Sequence, residues 1–233
     1  MEKNNLSNQT DRRRFLGSIT AGAATLGLAS LFQPLQASAD PGMPGQSADD
    51  ADEWFKKVKG KHKIVFDATE PHDVFPFAWP RIFLLTNEKT GTPANECGVV
   101  VVLRHSAIGY ALQDKLWTKY NLGELFKADD PATKKPSTRN PFWQPQPGAF
   151  KIPGFGEVQI GINELQSSGV MFCVCNAALT VYSAVAAGPL NINAADAYKE
   201  FVAGVLPGIQ IVPSGVWAVG RAQERGCAYC FAG

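Results

Sequence analysis

The chemistry available to this chain rests first on sulfur. Five cysteines occur, Cys97, Cys173, Cys175, Cys227 and Cys230, and four of them fall in two short motifs, Cys173-Val174-Cys175 and Cys227-Ala228-Tyr229-Cys230. A thiol acts as nucleophile or metal ligand only as the thiolate, so the question is which cysteine has a neighbour that stabilises negative charge. Cys175 closes the apolar run Gly169-Val170-Met171-Phe172-Cys173-Val174-Cys175-Asn176, just before a helical segment that begins near Ala177. The unpaired N–H groups of a helix start carry partial positive charge and favour a thiolate. Asn176 is a suitable N-cap there. Cys173 faces the same side as Cys175 in extended backbone, but a small buried hydrophobe is the common fate of such a thiol.

The C-x-x-C near residue 230 admits three uses: a redox pair, half of a tetrahedral metal site or a structural disulfide. A thioredoxin-like pair opens a helix after a strand, whereas this one lies in an expected strand. Taken together, Cys173, Cys175, Cys227 and Cys230 supply the ligand number for zinc or another thiophilic metal, provided the two strands that carry them are close. Of the three histidines, His105 ends an apolar strand and so shares a rim with Cys175. There it serves either as a proton acceptor for the thiol or as a hydrogen-bonded rim residue. Arg104 beside it reads equally as an anion contact or a solvated strand end. Ser214, in Pro213-Ser214-Gly215, reads first as a turn and N-cap.

The elements that must position these groups alternate. Strands are expected at Lys61–Ala68, Gly98–His105, Gly169–Asn176, Ile209–Val212 and Cys227–Phe231. The run Val99-Val100-Val101-Val102 has no polar alternation, which marks a strand covered on both faces. Helices are expected over Val74–Leu85 (broken or late, because of Pro76 and Pro80), Ile108–Lys127, Gly161–Ser168, Ala177–Ala187, Ala194–Val205 and Val216–Arg225. Residues 128–156 hold six prolines and read as an extended excursion, its aromatics covering a sheet edge or a partner surface. Alternation with long crossovers implies an α/β fold: a three-layer sandwich around a roughly five-stranded, mainly parallel sheet.

Composition bounds the rest. With 45% hydrophobic and 18% charged residues the chain can build a core, and a net charge of +1 gives no field to attract nucleic acid. Neither GxGxxG after a strand nor GxxxxGK[ST] occurs, so nucleotide binding by those devices is unsupported. Arg12-Arg13-Arg14-Phe15-Leu16 leads into a Gly- and Ala-rich apolar stretch that closes with Ala37-Ser38-Ala39. This pattern is similar to a twin-arginine signal peptide over residues 1–39 and implies the twin-arginine export machinery as a partner. The stretch falls short of the roughly 20 apolar residues that span a bilayer. Cleavage would remove Lys3, Arg12, Arg13 and Arg14 against Glu2 and Asp11, taking the charge from +1 to −1. The expectation is a periplasmic or otherwise extracytoplasmic protein without stable membrane insertion after processing. It has a flexible leader at 40–53 and one α/β domain at 54–233.

Several segments together resemble the DsrE/DsrF-like family: Gly98 to His105, Glu164 to Asn176, Ile211 to Val216, and Gln223 to Tyr229. The resemblance covers about residues 60–233 in the family's order. It implies a small α/β protein, often a homo-oligomer, and in the sulfur-relay members a cysteine near the end of the third strand that carries sulfur as a persulfide. Cys175 is the matching position. The chain departs from the family in its export signal, the 128–156 insertion and the additional Cys173, Cys227 and Cys230. The resulting expectation is an exported protein that binds or relays a small sulfur species through Cys175, with His105 on the same rim. The alternative is a cysteine-based metal-binding module or a non-catalytic structural or oligomeric one.

Overall fold

A computed structural model describes residues 48–233. The described chain runs α1 (Ala48–Phe55), β1 (His62–Ala68), α2 (Phe75–Lys89), β2 (Cys97–Leu103), α3 (Asp114–Tyr120), α4 (Leu122–Phe126), β3 (Lys151–Ile152), β4 (Gly156–Glu157) and α5 (Ile162–Ser167). It continues through β5 (Met171–Cys175), α6 (Asn176–Ala187), α7 (Ala194–Ala203), β6 (Ile209–Val212), α8 (Gly215–Glu224) and β7 (Ala228–Phe231). Five strands form one parallel sheet in the order β6-β5-β2-β1-β7. The expected α/β sandwich is what forms. The signal expected over residues 1–39 lies outside the described residues.

The side-chain period of two explains the valine run. β2 is central and buried throughout. Val99, Val101 and Leu103 enter a large core under α2 to α7, while Val100 and Val102 enter a smaller core under α1 and α8. The larger core centres on Phe77, which stacks on Phe142 at 4.2 Å and meets Tyr110 edge-on at 5.2 Å.

Three expectations are corrected. The leader expected at 40–53 is helical from Ala48, because Ala51, Trp54, Phe55 and Val58 recur at helical spacing and are buried in the smaller core. The helix expected over Ile108–Lys127 is instead a 3-10 segment (His105–Ala111) followed by α3 and α4. Asn121 takes a left-handed conformation (φ 50°) between those two helices, and Gly123 lies so close to the Ser137 backbone that a side chain would collide with it. Conversely, α2 runs unbroken through Pro76 and Pro80. Pro76 sits in the first turn, where an N–H has no helical partner, and burial of Phe77, Ala78, Pro80 and Leu84 outweighs the bond lost at Pro80.

The Pro-rich excursion is anchored by Asn140, which is fully buried. Its Nδ2 donates to the carbonyls of Tyr110 (2.8 Å) and Leu112 (3.1 Å), and its Oδ1 accepts from the Phe142 N–H at 3.1 Å. The two bonds from Nδ2 serve carbonyls where helical pairing is interrupted, that of Leu112 shared with the Trp117 indole N–H at 3.3 Å. Phe142 and Phe150 cover the core beside α2 rather than a sheet edge, and Phe155 stays exposed.

Candidate functional site

The helices after β1, β2 and β5 all pack on the larger core, whereas α8, which follows β6, packs on the smaller one. The loops leaving the neighbouring strands β5 and β6 therefore diverge to opposite faces. Such a topological switch point, at the carboxyl ends of parallel strands, is where open α/β sheets form their binding crevices. Cys175 ends β5 and Val212 ends β6, in register with each other, and the Ala177 N–H donates to the Pro213 carbonyl across the gap at 3.3 Å.

Cys175 itself caps α6. Its backbone is extended (φ −72°, ψ 113°), and its Sγ accepts the Ala178 N–H at 3.3 Å. Asn176, the expected cap, is used otherwise, since its Oδ1 accepts from the Tyr198 hydroxyl at 2.8 Å. The sulfur thus receives one of the free amide donors of a 12-residue helix directly.

The next strand ends in a cation on the same rim: Leu103 and Val174 are the last partners across β2 and β5, and Arg104 and Cys175 follow them in the chain. Arg104 grips Asp67 side-on, Nε to Oδ1 at 2.6 Å and Nη2 to Oδ2 at 2.9 Å. The Tyr229 hydroxyl donates to the same Oδ2 at 2.9 Å. Asp67 is only 2% exposed, which is tolerated because its carboxylate is paired and hydrogen-bonded. The bond to Asp67 is the main reason the Arg104 guanidinium holds its proton more tightly than usual, with smaller contributions from Tyr229 and Cys175. Gly215, the first residue of α8, packs on the Arg104 stem; a Cβ at that position would lie 2.7 Å from Arg104 Cδ. Ser214 caps α8, its Oγ accepting the Trp217 N–H at 3.2 Å, as its turn-and-cap reading requires.

His105 stands on the same rim, but its ring is engaged elsewhere. Nε2 lies 3.1 Å from the Tyr182 hydroxyl and Nδ1 lies 3.3 Å from Ser106 Oγ. Its φ of 49° is unusual for a residue with a side chain and costs about 1–2 kcal/mol. The ring therefore holds the rim loop to α6.

The other thiols are dispersed. Cys173 is fully buried in the smaller core, and burial raises its pKa well above that of a free thiol. Burial also raises the pKa values of Cys97, Cys227 and Cys230. β5 and β7 are separated by β2 and β1, about 14 Å at roughly 4.8 Å per strand, so Cys173 and Cys175 do not meet Cys227 and Cys230. The four-cysteine metal set is not assembled, and no cluster of three or more His, Cys, Asp or Glu suited to a metal ion occurs among the described residues. All five cysteines are free thiols.

Asp67 and Tyr229 were not legible as site residues. One signal was present: a lone carboxylate in the apolar strand Ile64-Val65-Phe66-Asp67-Ala68, a setting in which Asp requires a partner. Away from this rim, a cleft of about 480 Å³ lies between α2 and residues 149–160, lined by Phe75, Trp79, Phe150, Ile152 and Phe155.

No family model and no curated protein matches the chain. Among solved structures the chain is similar to a protein of unknown function, MTH1491 from Methanobacterium thermoautotrophicum, at 17% identity and a TM-score of 0.35, over 73% of this chain and 99% of that one.

Proposed function

We propose that this protein binds a small sulfur species as a persulfide on Cys175. The observation that carries the reading is the position of that sulfur: at the β5/β6 switch point, capping α6 through the Ala178 N–H. A sulfur at the end of a parallel strand, next to the unpaired amide donors of a helix start, is placed for attack on a small donor. With inorganic polysulfide, the Cys175 thiolate attacks a donor sulfur. A Cys–S bond to that sulfur forms, the donor's S–S bond breaks, and a shorter polysulfide or hydrosulfide leaves with the electron pair. His105 supports this rim by tethering it to Tyr182.

The reading extends to an extracytoplasmic protein of the DsrE-like kind, exported by the twin-arginine route, on the strength of the residue 1–39 pattern and the segment resemblance. A non-catalytic, self-associating module is the second reading. It is favoured by Val181, Val185 and Leu190, which are exposed along α6 and the turn after it. Incubation with polysulfide followed by peptide mass mapping separates the two. Added sulfur on the peptide holding residue 175, lost in Cys175→Ser, supports the persulfide reading; an unmodified residue 175 in a folded oligomer supports the other.

A further inference from the structure

We propose that the cleft between α2 and residues 149–160 binds a small aromatic carboxylate. Its ring lies flat between Trp79 and Phe155, and its anionic group meets Lys151 and Lys134. The cleft measures about 480 Å³, within the range of about 300–1,000 Å³ that small-molecule sites occupy. Its lining is apolar apart from Asp73, Lys134 and Lys151. Hydrophobic walls with a few polar groups to orient the ligand are the usual make-up of such a site. The cleft shares no residue with the rim that holds Cys175, so the inference is independent of the persulfide reading.

The two walls are built differently. On α2, Phe75 and Trp79 are one helical turn apart and stack at 4.8 Å with 18° between their ring planes, yet Trp79 remains 40% exposed. Opposite, β3 and β4 pair as a short antiparallel hairpin, and its turn is closed by the Phe155 N–H donating to the Ile152 carbonyl at 3.0 Å. Phe155 is 54% exposed at the tip of that turn. A Cβ at Gly154 or Gly156 would meet no atom within 4 Å, so the tip is not packed against the body. Phe150 forms the floor, stacked on Phe142 at 5.2 Å. Two large rings are thus left partly in water on facing sides of one concavity, and a flat apolar ring between them buries both.

Charge selects the polar group of the ligand. Of the three charged side chains that line the cleft, two are lysines and one is an aspartate. Asp73 lies 3.6 Å from Lys134, and Lys151 lies 3.5 Å from Glu157, which is outside the lining. Both pairs are exposed, and exposed pairs contribute about 0–1 kcal/mol. Each ammonium also has three donors, so either lysine can turn one to a ligand at little cost. The surplus positive charge matches a monoanion, of which a carboxylate is the simplest on an aromatic ring. A cationic ring would meet two like charges for one opposite.

Isothermal titration calorimetry of the full chain with 2-naphthoate and with its neutral counterpart 2-naphthamide tests the proposal. 2-Naphthoate should bind saturably, about three- to fivefold more tightly than the amide. Phe155→Ala and Trp79→Ala should each weaken 2-naphthoate about fivefold. Phe155 stands at an exposed tip, so circular dichroism and Tm of Phe155→Ala should match the parent, which guards against a loss of fold. Lys151→Gln should weaken 2-naphthoate about two- to threefold and leave the amide unchanged, a difference that a purely structural role of the lysine would not produce. Absence of saturable 2-naphthoate binding overturns the proposal, as does binding that neither Phe155→Ala nor Trp79→Ala alters, since the site would then lie elsewhere. Equal affinity for carboxylate and amide overturns the proposed ligand class. If 2-naphthoate fails to bind and Phe155→Ala changes the sedimentation coefficient, a second copy of the chain covers the cleft and the proposal falls.

Discussion

Asp67 and Arg104 should show strong energetic coupling, and its size can be worked from their geometry. With bonds of 2.6 and 2.9 Å the charge centres are about 4 Å apart, and at an effective dielectric near 20 the attraction is about 4 kcal/mol. Enclosing the Asp67 carboxylate returns part of that gain. Partial solvent access at Arg104 screens it further, leaving a net coupling of about 2 kcal/mol. Asp67→Asn and Arg104→Gln should each cost about 2–3 kcal/mol, because each leaves a desolvated partner without its counter-charge, and at about 2–4 °C per kcal/mol each should lower Tm by about 5–10 °C. The double variant should be more stable than the sum of the two losses by about 2 kcal/mol. Urea unfolding followed by tryptophan fluorescence measures all four proteins, with a constant denaturant slope confirming a common transition. Losses that add to within about 0.5 kcal/mol would show that the pair is not coupled.

Further outcomes follow from other contacts. Asn140→Ala should cost about 2–3 kcal/mol in the same assay, since it strands the Tyr110 carbonyl and the Phe142 N–H and leaves the Leu112 carbonyl with only its bond from the Trp117 indole. Gly215→Ala should displace the Arg104 stem and cost about 1–3 kcal/mol in the same assay while leaving overall helix content, read by circular dichroism, unchanged. Stability should decline in alkali: Cys173 ionises less readily folded than unfolded, so the native state holds the extra proton and stability is full below the unfolded thiol pKa of about 8.5. Above that pH the loss from this thiol should approach about 1.4 kcal/mol per pH unit, and Cys173→Ala should flatten the slope of unfolding free energy against pH.

Much of the framework was readable because it depends on local patterns. The valine run identifies a doubly covered strand before any topology is known, and Cys175 is placed by a strand running directly into a helix. What was not readable depends on contacts remote in sequence. Asp67, Arg104 and Tyr229 converge only because β7 returns to the edge beside β1, a strand order that no local periodicity encodes. The same order separates Cys227 and Cys230 from Cys173 and Cys175, so an apparent four-ligand set dissolves. α1 was hidden by its acidic, Ser- and Gly-rich flank, although its apolar spacing was present. The breaks within 105–126 arise from Asn121 and from the close passage of Gly123 under Ser137, which helical periodicity does not register.

The central claim is that Cys175 is the sulfur-bearing thiol, and cyanide-labile sulfur tests it most directly. After loading with inorganic polysulfide and removal of excess donor, cyanide attacks the outer sulfur of a persulfide, releasing thiocyanate and the cysteine thiolate. About one thiocyanate per chain is expected from the parent protein and from Cys173→Ala, and essentially none from Cys175→Ser. Equal release from folded Cys175→Ser, or none from the parent, would contradict the account.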